Sequence, residues 1–426
     1  MATSSQWMLT PNKLSLRRRA MILHDDDKRV LDGEGGEARR LAMEMLVALG
    51  KIYDAEKLIP IQSAHVAGLS YRSHGDAGMH WIEEMADSGA RVSVPTTLNV
   101  IGVDRSRDLG LPGEWCDKQL RINDGYVRTG CYGTSSCVPY LYGFVPRFGE
   151  HIAWAESSAV AFTNSFLGAR DNREGGPSAF AAALVGKTPC YGFHLDKNRR
   201  AHVRFRVTVP IDDLADVGAL GAYVGSNIGV HNPAFAGLRP LRLEEHIYLS
   251  AALASSGGVA LYHVEGQTPD AVMLGSGIYA DNYDEVEIGP QELIQGYERL
   301  TSNSNRQVDY VAVGCPHLTL NQVAEVAALL QGKKVKDGVT MWVHTNIPVK
   351  AMARQMGYLQ IIEDAGAVLT QDLCTVLSIP EQRGLHSLAT NSAKMAFYAP
   401  GSNRLRTWFG SLKNCVNAAF TGCWNA

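Results

Sequence analysis

No run of about 18 apolar residues occurs in this chain, so the sequence offers no membrane-spanning helix. Charge of one sign is equally scarce. The 40 Lys and Arg stand against 43 Asp and Glu, a net −3, which speaks against nucleic acid or an anionic membrane as partner. Eight cysteines in 426 residues are too few for a disulfide scaffold, and the N-terminus lacks the continuous apolar stretch of a secretory signal. A cytoplasmic location is therefore expected, where thiols bind metal or do chemistry more often than they cross-link. The phosphate loop of nucleotide hydrolases, the Gly-x-Ser-x-Gly elbow of esterases and the His-Glu-x-x-His helix of zinc proteases are all missing.

What remains is long enough for two or three domains. Residues 1–20 contain no acid and run Arg17, Arg18, Arg19, which reads as a mobile extension ahead of Met21. Beyond it the pattern alternates. Helical spacing over Ala38–Leu49 ends at Gly50, Lys57–Ile61 reads as a strand, Met79–Ser88 as a helix and Val92–Val94 as a strand. Later, Val308–Val313 reads as a strand, Thr319 as the cap of a helix over Gln322–Leu330, and Ala367–Leu369 as another strand. This is α/β grammar, with expected domains over 21–200, 201–300 and 301–426, the middle one ending in turns at Gly275, Gly277 and Gly289. In such sheets chemistry collects in the loops at the carboxyl ends of strands.

Three of those loops hold a cysteine: Ser136-Cys137-Val138-Pro139, Gly314-Cys315-Pro316-His317 and Asp372-Leu373-Cys374. A buried inert thiol explains any one of them. Three together, far apart in sequence and each in a strand-end loop, are better explained as ligands of a metal or iron–sulfur centre that only the whole fold can assemble. Cys131 is the rival for one place; Cys116, Cys190, Cys415 and Cys423 read as structural.

Ionisable groups cluster elsewhere in apolar surroundings. Glu150 and His151 read as the first turn of a helix, with Glu156 and Ser157 one or two turns on; a buried carboxylate there pairs with a cation or carries a proton. Arg170 and Arg173 flank Asn172 in a glycine-bounded loop, suited to a bidentate grip on carboxylate, although solvated charges fit that spacing as well. His65, Thr97 and Asn99 follow strands and present polar groups for substrate or for helix caps. Asn391, Ser392 and Lys394 lie in a dense polar run where a helix N-terminus would receive an anion.

In order along the chain, these phrases resemble the aconitase X family in its large-subunit form, from about Met21 onward. The resemblance is carried by Leu31-Asp32-Gly33-Glu34-Gly35-Gly36, Ser63-Ala64-His65, Val94-Pro95-Thr96-Thr97-Leu98-Asn99, Cys137-Val138-Pro139-Tyr140, Trp154-Ala155-Glu156-Ser157, Asn164 through Arg170, Gly314-Cys315-Pro316-His317 and Thr390-Asn391-Ser392-Ala393-Lys394. Asp171 departs from the pattern, where the family more often has Thr, and its carboxylate would alter the charge around Arg170 and Arg173.

The resemblance implies an aconitase-like multi-domain α/β fold without the swivelling small domain. That domain would be a separate small subunit carrying a catalytic serine. It implies an iron–sulfur cluster, with 2Fe-2S the expected form and 4Fe-4S or mononuclear iron the alternatives. It implies a hydro-lyase acting on a small carboxylate: cis-3-hydroxy-L-proline is the expected substrate and mevalonate 5-phosphate the alternative. Cys137, Cys315 and Cys374 would hold the metal, His65, Glu156 and Lys394 would relay protons or hold substrate, and Thr97, Asn99, Ser157, Arg170, Asn172, Arg173, Asn391 and Ser392 would bind substrate. A mononuclear-metal hydro-lyase and a cluster-free RNA-binding relative are the competing readings, the second disfavoured by the acidic net charge.

Overall fold

Strands rich in β-branched residues and buried on both faces pair in parallel here, with helices laid over them. The computed structural model describes residues 21–425; the expected extension over residues 1–20 lies outside them. Three parallel sheets follow one another along the chain. The first orders Thr96–Leu98, Ala64–Val66 and Ala153–Trp154. The second orders His263–Val264, Pro233–Ala236, Ala201–Val207 and Tyr279–Ile288. The third orders Val368–Thr370, Thr340–His344, Tyr310–Val313, Ser387–Thr390 and Arg406–Phe409. A small antiparallel pair, Leu58–Pro60 with Lys187–Pro189, closes the first unit.

Each sheet has its own core. Helices Glu37–Ile52, Tyr71–Asp87, Gly113–Arg128 and Gly176–Val185 bury Met43, Leu46, Ile82, Tyr126 and Phe180 over the first sheet. Helix Leu320–Leu330 buries Val323, Val326 and Leu330 against Val311, Val313 and Val343 of the third. Each aliphatic side chain so buried contributes roughly 1.5–3 kcal/mol. The second core runs without a break from Phe205, Phe235 and Leu249 to Cys137, Trp154 and Phe162 of the first unit.

Several local expectations need correcting. Val92–Val94 is not a strand: its amides bond singly to Thr129 and Ala183, and the strand begins after Pro95, so Thr97 lies within a strand rather than in a loop. Glu150 and His151 do not open a helix. The strand Ala153–Trp154 intervenes, and Glu156 is the N-cap of Ser157–Phe162, accepting from the Ala159 amide. Gly275 and Gly277 do not end the middle unit but precede its edge strand Tyr279–Ile288. Gly50 lies inside its helix, which runs on to Ile52. Thr319 caps Leu320–Leu330 as expected, its hydroxyl accepting from Gln322.

The first and third units are stitched where their strand-end loops meet. Ile101 donates to the Asp372 carbonyl at 2.9 Å, and Cys374 returns a bond to Ile101 at 3.0 Å. The buried Asp372 carboxylate takes a fork from Arg105 at 2.9 and 3.1 Å, which fixes the loop before Cys374.

Candidate active site

A cavity of about 240 Å³ opens at that junction, and it gathers residues from the first and third units. Cys137, Cys315 and Cys374 line it together with Asn99, Glu156 and Lys394, and apolar walls come from Val100, Pro316, Val376, Leu377 and Tyr398. The strand Tyr310–Val313 delivers Cys315 through Gly314, whose φ is +98° and where a Cβ would stand 2.2 Å from the His344 carbonyl oxygen. Only glycine permits that approach. The strand Val368–Thr370 delivers Cys374, and Ser387–Thr390 delivers Asn391 and Ser392.

Lys394, partly buried, and the buried Glu156 form an ion pair across two units. Glu156 Oε2 accepts from the Ala159 amide at 2.6 Å and the Ser158 hydroxyl at 2.7 Å, leaving Oε1 for the Lys394 ammonium. Burial would raise the Glu156 carboxyl, but Lys394 and these donors hold it below the usual range. Burial likewise opposes the charge on Lys394, and the Glu156 carboxylate overrides it, so both groups stay ionised. Ser157 and Ser158 hydroxyls stand 3.2 and 3.3 Å from Nζ.

The thiols differ. Burial pushes Cys137 up to about 12. Their mutual interaction splits the other two: Cys315 is driven well above the usual thiol range and Cys374 drops to about 7, so Cys374 is the more readily ionised of the pair. Ser392 caps the helix Ala393–Asn403 through the Met395 amide at 3.1 Å and also donates to the Cys315 carbonyl. His65 is buried beside this wall. Its Nδ1 meets Thr97 Oγ1 at 2.8 Å across the register of the first sheet, and burial lowers its pKa to about 4. His65 Nε2, Asn99 Oδ1 and Asn391 Oδ1 are buried without protein partners.

Part of the expected substrate set lies elsewhere. Arg170 does not form an open anion clamp. Its guanidinium is spent on Asp196 at 3.0 Å, Asp270 at 3.4 Å and the Gly168 carbonyl at 2.8 Å, and it stacks over Phe148. Asn172 brackets the backbone of Tyr191 and Phe193, and Arg173 faces solvent. None of the three lines the cavity. Asp171 does not face either arginine's partners: its carboxylate turns to the Trp154 backbone. It is fully buried, accepts from the Trp154 amide at 3.1 Å, and burial raises its carboxyl well above the usual range. Cys131 sits in the first unit's core against Thr129, away from the cavity. His317, between the thiol loops, is a residue that sequence reasoning misses. The signal for it was its place two residues after Cys315.

Among the described residues no set of three or more His, Cys, Asp or Glu closes on a single ion. Three thiols are instead distributed round one cavity that Lys394 also lines. That soft donor set fits a thiophilic metal or iron–sulfur group.

Fold and cavity define a class, the multi-domain hydro-lyases of aconitase type. Sequence families narrow it: the aconitase X first domain matches residues 20–197, the second domain 201–298 and the third domain 308–421. The chain belongs to the aconitase X family. It is 41% identical to the phosphomevalonate dehydratase large subunit of Methanocaldococcus jannaschii, over 93% of this chain and 99% of that one. It is 37% identical to the cis-3-hydroxy-L-proline dehydratase of Pseudomonas aeruginosa, over 93% of this chain and 69% of that one. The crystal structure of Thermococcus kodakaraensis aconitase X in its holo-form superposes with a TM-score of 0.85 at 41% identity, covering 94% of this chain and all of that one. The family, the fold and the hydro-lyase class are as expected. Among the described residues no helix is long and apolar enough to cross a membrane.

Proposed function

We propose that this chain is the large subunit of an iron–sulfur dehydratase that removes water from cis-3-hydroxy-L-proline, giving Δ1-pyrroline-2-carboxylate after tautomerisation, and that it acts with a small subunit carrying the catalytic serine. The observation that carries this reading is the charge of the thiol-lined cavity. Lys394 is the one cation among its described lining residues, and Glu156 already pairs with it. A zwitterionic amino acid suits such a site. A phosphate monoester brings further negative charge that calls for additional Arg or Lys.

Cys137, Cys315 and Cys374 would hold the cluster. When bound, the cluster supplies a Lewis acid that makes the substrate hydroxyl a better leaving group. The chain's own residues do the rest. Lys394 and Glu156 set a fixed dipole at the cavity wall, and Asn99 Oδ1, buried and unpartnered, is an acceptor for a substrate N–H or O–H. Val376, Leu377 and Tyr398 exclude water from one side. Loss of the α-proton and of the 3-hydroxyl accounts for one water, and the resulting enamine tautomerises to the imine. The serine of the small subunit is the expected base.

A second reading is mevalonate 5-phosphate dehydration. It is favoured by the 41% identity to the M. jannaschii large subunit and by this chain's spanning 99% of that protein. The deciding experiment copurifies the chain with its small subunit without oxygen, measures iron, acid-labile sulfide and the absorption spectrum, and assays both substrates. Iron and sulfide in matching amounts with turnover of hydroxyproline uphold the proposal. Turnover of mevalonate 5-phosphate alone transfers it to the second reading, and iron without sulfide replaces the cluster by a mononuclear site.

A further inference from the structure

The three cavity cysteines sit in three separate loops, and one buried side chain beyond the cavity wall reaches all three. His317 follows Cys315 by two residues and is 2% exposed. Its backbone N–H donates to Cys137 Sγ at 3.4 Å. Its Nδ1 lies 3.2 Å from the hydroxyl of Ser136, the residue before Cys137. Its Nε2 lies 3.0 Å from the carbonyl of Leu373, the residue before Cys374. A carbonyl can only accept, so Nε2 carries the proton and Nδ1 accepts from Ser136. Ser136 Oγ in turn accepts from the Val138 amide at 3.3 Å. A core histidine needs two partners in any fold, but nothing about core packing requires them to be the residues adjoining two thiols while its own amide meets a sulfur. The other ties hold each loop to its own surroundings rather than to another thiol loop: Ile101 and the Arg105 fork hold the Cys374 loop, Leu98 accepts the Ser136 amide, and Ser392 holds the Cys315 carbonyl.

We propose that His317 is the positioning residue of the thiol set: through its two ring nitrogens and its backbone amide it fixes the spacing of Cys137, Cys315 and Cys374. This rests on the cluster reading above. Groups that orient metal ligands from behind typically change metal affinity about 10–100-fold when removed. An N–H donated to a ligand sulfur stabilises the thiolate and shifts the potential of the cluster it holds.

The test compares wild type with His317→Ala, His317→Gln and Ser136→Ala, each with the small subunit. Iron retention against a chelator, cluster midpoint potential and the rate of Cys137 alkylation in the metal-free protein are measured. The expected result is iron retention weakened roughly 10–100-fold in His317→Ala. The loss should be smaller in Ser136→Ala, which removes one hydroxyl and is the variant to read if His317→Ala does not fold. Partial rescue is expected in His317→Gln, whose amide nitrogen can reach the Leu373 carbonyl, and Cys137 should alkylate faster wherever retention falls. Unchanged retention, potential and alkylation overturn the proposal. So does parallel loss of thermal stability and iron without rescue by Gln, which is a general structural role. If the wild type holds neither iron nor sulfide, the cluster reading fails on its own, and the alkylation rates still decide whether His317 sets the thiol loops.

Discussion

Two buried clusters of opposite charges lie in this molecule, and they do different work. In one, Arg170 and Arg199 share Asp270, with Arg199 Nε at 3.0 Å and Arg170 Nη2 at 3.4 Å. Their remaining donors end on Asp196, Asn164 and backbone carbonyls, so nothing is left for a ligand. In the other, Lys394 meets Glu156, but the pair forms the wall of a cavity that it shares with three thiols. The sequence marks both equally: charged residues in apolar, glycine-bounded surroundings. What separates them is whether the protein itself supplies the counter-ions and closes the space, a property of tertiary contacts up to 238 residues apart.

Substitutions should separate the two clusters sharply. Cys315→Ser or Cys374→Ser is expected to remove dehydration entirely from the reconstituted pair and to lower bound iron, read by metal analysis beside the assay. Wild-type iron and rate would remove the thiol cavity from the comparison. Lys394→Met should lower kcat by about 100-fold or more, the range of one preorganised electrostatic group. It should also cost about 3–5 kcal/mol of stability by leaving Glu156 charged and buried. Adding Glu156→Gln should restore stability but not rate, since the two losses have different origins. Arg170→Ala should show the reverse pattern: about 1–3 kcal/mol of stability lost, since Arg199 still pairs Asp270, measured by denaturant unfolding, with kcat/KM of the folded fraction within a few-fold. A selective rise in KM would return Arg170 to the substrate site.

Legibility follows the same division. Sheet strands and caps were legible because their determinants are local: the run Tyr310–Val313, and Thr319 three residues before Gln322. The thiol loops were legible as a group because strand-end position and residue type coincide. Val92–Val94 misled because two valines read as strand whatever their amides bond to, and Pro95 shifts the ladder onward. Glu156 reads as a mid-helix residue only if Glu150 opens the helix; a carboxylate just before Ser157-Ser158-Ala159 is itself a cap signal. For Arg170 the sequence shows an anion clamp and hides its partners, because Asp196 and Asp270 are 26 and 100 residues away and no spacing rule reaches them.

Acid should discriminate the two regions more finely. Burial lowers His65, His246 and His317 to about 4 and His194 and His344 to about 3, whereas the unfolded chain titrates each near 6.5. The unfolded state therefore binds these protons first. Stability from the neutral imidazoles is complete above about pH 6.5 and falls on acidification, by roughly 1.4 kcal/mol per pH unit for each group. Asp171, Glu174 and Asp372 act in the opposite sense, because burial raises them and the folded state takes their protons first. Five imidazoles against three carboxyls leave a net loss, expected as a fall in the denaturant midpoint between pH 7.5 and 5. The loss should not be uniform. A proton arriving at the His151–His194 pair, 3.0 Å apart, meets repulsion from Arg170 at His151 and Arg199 at His194, whereas one arriving at His65 is drawn by Glu156. Hydrogen exchange at pH 5 should therefore open Gly192–His194 and the strand Ala153–Trp154 before Ala64–Val66. Equal protection in both would mean that the arginine cluster is held by packing rather than by its balance of charge.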